Sequence, residues 1–252
     1  MILLQNVTLM HPLPGALDTT SIDLFSTALL EGGAGGELLV ERAGGTLHPT
    51  SLRWWLRQPG QRDPGDFSAL QLIEEGPVLD IGCATGRHLQ ALASAGVPAE
   101  GIDVNPAAVA IARLHGCAVQ QADFWSFSPD RRYRWLVALG NNLGIAGRLA
   151  GLPRFLDRCA GLLANGGHLL VSSIDWRHPA AAPNDGAYPG EMHLRHHYAG
   201  LHGPWFDWLY VTPDTLEEHA HTAGFHCEAV HRFADVYVAV LTLVGRRAAR
   251  AA

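Results

Sequence analysis

Between residues 77 and 175 short apolar runs alternate with stretches in which apolar positions recur every third or fourth residue. That alternation predicts strands laid parallel in one sheet and joined by helices on its faces. The strands fall at 77–81, 99–103, 117–121, 134–139 and 168–174, and the helices at 87–95, 106–115 and 149–163. The last helix ends in Asn165-Gly166-Gly167, a stop signal ahead of a buried strand. Beyond it the pattern gives a helix from Pro213 to Ala223 and strands near 225–231 and 235–243. Two segments lie outside this rhythm. Residues 1–70 carry a helix-like stretch from Ser21 to Leu30, a hairpin around Gly44-Gly45 and an amphipathic turn from Ser51 to Leu56, and they read as a cap. Residues 176–212, rich in histidine, proline and aromatics, show no clear period and read as a lid inserted in a second unit spanning 71–252.

Composition narrows the class. Hydrophobic residues make up 48% of the 252 and charged residues only 17%, which describes a well-buried globular chain. No apolar run is long enough to span a bilayer, and the expected location is cytoplasmic. Cys83, Cys117, Cys159 and Cys227 stand apart in no C-x-x-C arrangement, as reduced thiols do. The net charge of −6 argues against a nucleic-acid partner. All 18 basic residues are arginines, so lysine Schiff-base chemistry and a Walker loop are both excluded.

The strand at 77–81 runs into Gly82-Cys83-Ala84-Thr85-Gly86 and then a helix, the arrangement of a loop that lets backbone approach a ligand. Its Gly-x-x-x-Gly spacing misses the dinucleotide pattern G-x-G-x-x-G. Asp80, just before the loop, would repel a pyrophosphate and suits a cationic amino-acid group. Alone, such a loop is as often an ordinary turn, Asp103 reads equally as a helix cap, and Asp123 as a loop residue.

Taken together, these stretches resemble class I S-adenosylmethionine (SAM) methyltransferases. Val78 to Leu92 is similar to that family's D-x-G-x-G-x-G motif, with Ala84 replacing the middle glycine. Gly101-Ile102-Asp103-Val104-Asn105-Pro106 and Gln120-Gln121-Ala122-Asp123-Phe124 follow in the family's register. The resemblance implies an α/β, Rossmann-like sheet of seven strands, the last antiparallel, with the N-terminal cap and lid-like insertion as additions. It also implies SAM as cofactor, Asp103 on the ribose hydroxyls, Asp123 at the adenine amino group and Phe124 near the ring. The cofactor set is then Asp80, Gly82, Cys83, Ala84, Gly86, Asp103, Val104, Asp123, Phe124 and Asn141, with Cys83 a small filler.

The run from Gly140 to Gly147 sits where open α/β sheets bind ligands. It lacks the Asn/Asp-Pro-Pro-aromatic motif of base methylation and the acid cluster of metal-dependent catechol methylation, and resembles a Gly-Asn-Ile-Gly turn of a bacterial subgroup. Asn141 and Asn142 read equally as ligand contacts and as turn formers. Asn141, Asn142, His178 and His197 are the catalytic candidates, a lid histidine serving as general base. Asn142, Tyr198, Trp205, Phe206 and Trp208 are the substrate candidates. His193 and His197 stand at i, i+4 in a segment that looks extended, so no metal site is expected. The reading is methyl transfer to oxygen or nitrogen of a small molecule, possible in secondary metabolism. Its alternatives are internal cleavage or cyclisation of SAM with release of methylthioadenosine, and non-catalytic SAM binding.

Overall fold

The computed structural model describes residues 23–56, 64–175 and 188–245. The N-terminal part opens with α1 (Leu24–Leu30), whose N-cap Asp23 accepts from the Ser26 N–H. A hairpin of β1 (Leu38–Arg42) and β2 (Thr46–Thr50) follows, turning on Gly44 and Gly45 as their positive φ angles allow. Next come α2 (Arg53–Leu56) and α3 (Pro64–Leu70).

The alternating region forms β3 (Val78–Ile81), α4 (Arg87–Ser94), β4 (Ala99–Asp103), α5 (Pro106–Leu114), β5 (Val119–Gln121), β6 (Tyr133–Ala138), α6 (Leu152–Leu162) and β7 (Leu163–Ile174). After β8 (Glu191–Tyr198), β9 (Leu201–His202) and β10 (Phe206–Leu209), the chain returns through α7 (Pro213–Thr222), β11 (Phe225–Phe233) and β12 (Val236–Leu243). Seven strands make one sheet in the order β11-β12-β7-β6-β3-β4-β5. β3 to β7 are parallel where they pair, and β12 runs antiparallel to both β7 and β11. The expected Rossmann-like α/β sheet is therefore present.

Strand period two divides the core between the two faces of this sheet. Leu79, Ile81, Leu136, Leu169 and Val171 pack with Phe155 and Leu156 of α6 and Leu216 of α7. Val78, Val137, Leu170 and Val238 pack on the other face with Ala69 and Leu70 of α3 and Leu92 of α4. α3 therefore belongs to the layers of the large sheet, although its residues fall within the stretch 1–70 read as a cap.

Residues 176–212 differ most from expectation. Their described part is not an aperiodic lid: β8 pairs antiparallel with β1, giving a second sheet in the order β10-β8-β1-β2, with β9 paired to β8. Strands from the cap, β1 and β2, and from the insertion, β8, β9 and β10, thus form one sheet out of two distant pieces of chain. Smaller differences are local. A 3-10 turn at Leu149–Gly151 precedes α6, and β7 begins at Leu163 because that residue is already extended.

Candidate active site

The loop after β3 is built to turn in a small space. Gly82, Ala84 and Gly86 have φ angles of 69°, 45° and 77°, a region costly for a residue with a Cβ. The Ala84 N–H donates to Asp103 Oδ2 at 2.8 Å, which holds the alanine there and ties the loop to the end of β4. Asp103 Oδ1 accepts from the Asn105 N–H, also at 2.8 Å. Burial raises the Asp103 pKa, against the pull of these two donors. Asn105 in turn caps α5 through the Ala108 N–H and donates to Asp23 at the start of α1.

At the next strand end, Asn141 adopts φ 64° and its N–H donates to Ser172 Oγ. Its side-chain Oδ1 is buried without a hydrogen-bond partner. Asn142 donates from Nδ2 to the carbonyls of Ile81 and Gly82, both at 2.8 Å. Gly82 is required at this contact, because a Cβ there would lie 2.6 Å from Asn142 Nδ2.

The loop and both asparagines open on a cavity of about 860 Å³, within the range of small-molecule sites. Gly82, Ala84, Asp103, Asp123 and Phe124 form one end. The second sheet forms the opposite wall with Val40, Arg42, Met192, Leu194, His196, Phe206 and Trp208, while Phe25 and Trp55 come from α1 and α2. Phe25 stacks on His196 with centroids 5.7 Å apart and meets Trp55 edge-on at 5.1 Å. Burial lowers the His196 pKa, partly countered by the charge of Asp23, so its imidazole is neutral at pH 7. Trp208 lies so close over Gly144 that a Cβ there would fall 2.0 Å from the indole.

Residues 59–230 match the family model described as a methyltransferase domain. The chain belongs to this methyltransferase family. A SAM-dependent methyltransferase from Bacteroides fragilis, solved with S-adenosyl-L-homocysteine, is 27% identical; it superposes with a TM-score of 0.76 over 86% of this chain and 93% of its own. The CcbJ methyltransferase of Streptomyces caelestis shares the fold, with a TM-score of 0.59 at 20% identity over 76% of this chain and 95% of its own. Among curated relatives, the ubiquinone biosynthesis O-methyltransferase of Rhodopseudomonas palustris is 29% identical over 58% of this chain. That of Nitrobacter winogradskyi is likewise 29% identical over 58% of this chain. The alignments span only 57% and 55% of those two relatives. By family the chain carries a methyltransferase domain, and its fold is similar to that of SAM-dependent methyltransferases.

The residues present in this methyltransferase fit that cofactor. Ile102, Ala122, Val104 and Phe124 offer an apolar slot beside the Asp103 carboxylate, and the unpartnered Asn141 Oδ1 is an acceptor for an ammonium or hydroxyl. Gly82, Ala84, Asp103, Val104, Asp123, Phe124 and Asn141 all line the cavity. Asp80, Cys83 and Gly86 do not. Asp80 is fully buried on the face of β3 that packs α4, where its carboxylate lies 3.4 Å from His88 Nδ1. His88 Nε2 lies 3.3 Å from Asp66 of α3, and Arg87 meets the same carboxylate at 2.6 Å. Burial alone would depress the His88 pKa, but Asp80 and Asp66 outweigh it and push the imidazole up to about 9. Cys83 is filler: Gly101 approaches it too closely for any Cβ, and burial pushes its thiol up.

Asn142, Phe206 and Trp208 also line the cavity, whereas Tyr198, Trp205 and His197 do not. Alternation along β8 supplies the reason. Met192, Leu194 and His196 face the cavity; His193, Arg195 and His197 face away, where His197 and Arg195 bind Glu41. Trp205 stacks on His193 and lies under the Arg195 guanidinium on that outer face. Tyr198 is on the inner face but covered by Leu24 and Ala28 of α1, and its hydroxyl accepts from the Gly35 N–H. His178 lies outside the described residues. Sequence reasoning missed His196, Arg42, Phe25 and Met192. Reading 191–198 as a strand, with Phe206 and Trp208 as the reference face, would have exposed His196.

Proposed function

We propose that this methyltransferase moves a methyl group from SAM to an oxygen of a small molecule, with nitrogen the second possible acceptor atom. The observation that carries the reading is the continuity of one cavity from the Gly82–Asp103–Asn141 end to the aromatic wall of the second sheet. Bound SAM supplies an electrophilic methyl on a sulfonium. Gly82, Ala84, Asp103, Val104, Asp123, Phe124 and Asn141 hold it, with Asp80, Cys83 and Gly86 supporting the loop from behind. The N-terminal α1, β1, β2 and α2, together with the strands inserted at 191–209, form the cover over the substrate end of the seven-stranded sheet. The aromatic side chains of this cover exclude water and align the acceptor, which is most of what an intrinsically reactive donor requires.

His196 is the proton acceptor. Its ring faces the cavity, is neutral, and makes no hydrogen bond among the described residues. As the C–O bond forms and the S–C bond breaks, the acceptor hydroxyl gives its proton to this imidazole and S-adenosylhomocysteine leaves. Oxygen is favoured because the curated relatives are O-methyltransferases. The acidic net charge and isolated cysteines support a cytoplasmic protein with a small-molecule rather than nucleic-acid partner; among the described residues no helix is long and apolar enough to cross a membrane.

Calorimetry with SAM, then product analysis with a panel of phenols and amines, tests this. Saturable binding and acceptor-dependent release of S-adenosylhomocysteine are expected. Methylthioadenosine as the product, or no SAM binding, overturns the reading.

A further inference from the structure

Arg42 ends β1 on the cavity wall, half-buried, and its side chain makes no hydrogen bond or ion pair among the described residues. That sets it apart from Arg87, Arg131, Arg148, Arg195 and Arg232, each of which meets a carboxylate. The acids that share the cavity are committed elsewhere. Asp207 turns its carboxylate to the outer face, where it binds Arg148 and His193, while at the opposite end Asp103 accepts from two backbone N–H groups and Asp123 from the Trp125 N–H. An arginine on a cavity wall with no carboxylate beside it is available to pair with a ligand that supplies the charge.

The register places it usefully. Arg42 lies opposite Leu194, which lies opposite Phe206; one step along the same face, Val40 lies opposite His196. Arg42 and His196 are therefore on one face of adjacent strands, two residues out of step, with Phe206 and Trp208 beside them. We propose that the methyl acceptor is an aromatic carboxylic acid whose carboxylate is held by Arg42 while its ring lies along the Phe206–Trp208 wall and its hydroxyl reaches His196. A single planar guanidinium offers two parallel donors, which match a carboxylate. A phosphate dianion would leave a negative charge uncompensated in a cavity that already contains Asp103 and Asp123.

This inference rests on the methyltransferase reading, and the test separates the two. The full chain saturated with S-adenosylhomocysteine is titrated calorimetrically with 4-hydroxybenzoate and 6-hydroxy-2-naphthoate, with their primary amides, and with 4-hydroxyphenyl phosphate. The acids should bind at least about tenfold more tightly than the amides, as expected for one desolvated charge pair. Arg42→Gln should abolish that preference, Arg42→Lys should restore part of it, and affinity for S-adenosylhomocysteine should stay unchanged in both. Equal affinity for acid and amide in the unsubstituted protein, absent binding of both, a preference that survives Arg42→Gln, or tighter binding of the phosphate overturns the assignment. So does loss of S-adenosylhomocysteine affinity in Arg42→Gln, which would give the guanidinium to the cofactor. Failure of the unsubstituted protein to bind S-adenosylhomocysteine overturns the methyltransferase reading itself.

Discussion

The Asn142 side chain reaches the Gly82 carbonyl at 2.8 Å, and the glycine lacks a Cβ at the point where that amide lies. One residue in the 3-10 turn beyond β6 thus holds the shape of the loop after β3. Asn142→Ala should weaken SAM and S-adenosylhomocysteine binding by about 1–3 kcal/mol, the cost of leaving buried carbonyls unpaired. Calorimetry with each nucleotide checks this. A change confined to the KM of the acceptor would mean that Asn142 acts on substrate instead.

Asp103 accepts one backbone N–H on each oxygen. Asp103→Asn turns an NH2 toward one of those donors, so it should be nearly as damaging as Asp103→Ala. Both should reduce SAM affinity by roughly 10- to 100-fold, the range for hydrogen bonds to a charged group. Equilibrium binding of SAM measures it, with circular dichroism to confirm folding.

His196 should give the pH–rate profile its acidic limb. Its pKa lies below the usual value because of burial, with Asp23 pulling upward and the neighbouring His197 downward; Arg42 and His48 share its face of the sheet. Activity should fall only as pH drops through that lowered value and stay flat above it. His196→Gln should lower kcat by about 100-fold, as for loss of a general base, remove the limb, and leave SAM affinity intact.

The buried Asp66–His88–Asp80 group makes stability depend on pH in a definite direction. His88 is raised from 6.5 to about 9, so its contribution is complete below 6.5 and disappears as pH rises through 9. Asp66 is lowered: burial would raise it, but the His88 bond and the charges of His88 and Arg87 prevail, so its contribution is lost on acidification. Thermal unfolding should show Tm decreasing between pH 7 and 9.5, and His88→Gln should flatten that slope.

Gly144→Ala puts a methyl into the Trp208 indole. Either the tryptophan moves or the protein loses about 1–3 kcal/mol of stability. The expected readout is a raised acceptor KM with unchanged SAM affinity.

The succession of strands and helices was legible because strands such as Val78–Ile81 and Val236–Leu243 are apolar runs and the helices repeat at 3.6 residues, while the seven-stranded sheet itself was implied by the family resemblance. The loop motif and the acids at 103 and 123 were legible for a related reason: a cofactor loop needs specific small residues at fixed distances along one stretch of chain. Tyr198, Trp205 and His197 were chosen by residue type, without the strand phase that decides which of them face inward. Asp80 was placed at the cofactor by its position before the loop, yet strand alternation turns it to the α4 face.

By itself the sequence determined the succession of strands and helices, because each element is set by residues close along the chain; the seven-stranded sheet and the cofactor end followed from the resemblance of its motifs. Tertiary structure alone decided the other end. Val40 and Arg42 meet Leu194 and His196 only because β1 and β8, about 150 residues apart, share a ladder of backbone hydrogen bonds. Backbone pairing is blind to side-chain identity, so the local pattern carries little record of which distant strand a hairpin will join. Arg42, His196, Phe206 and Trp208 become one wall when that pairing forms.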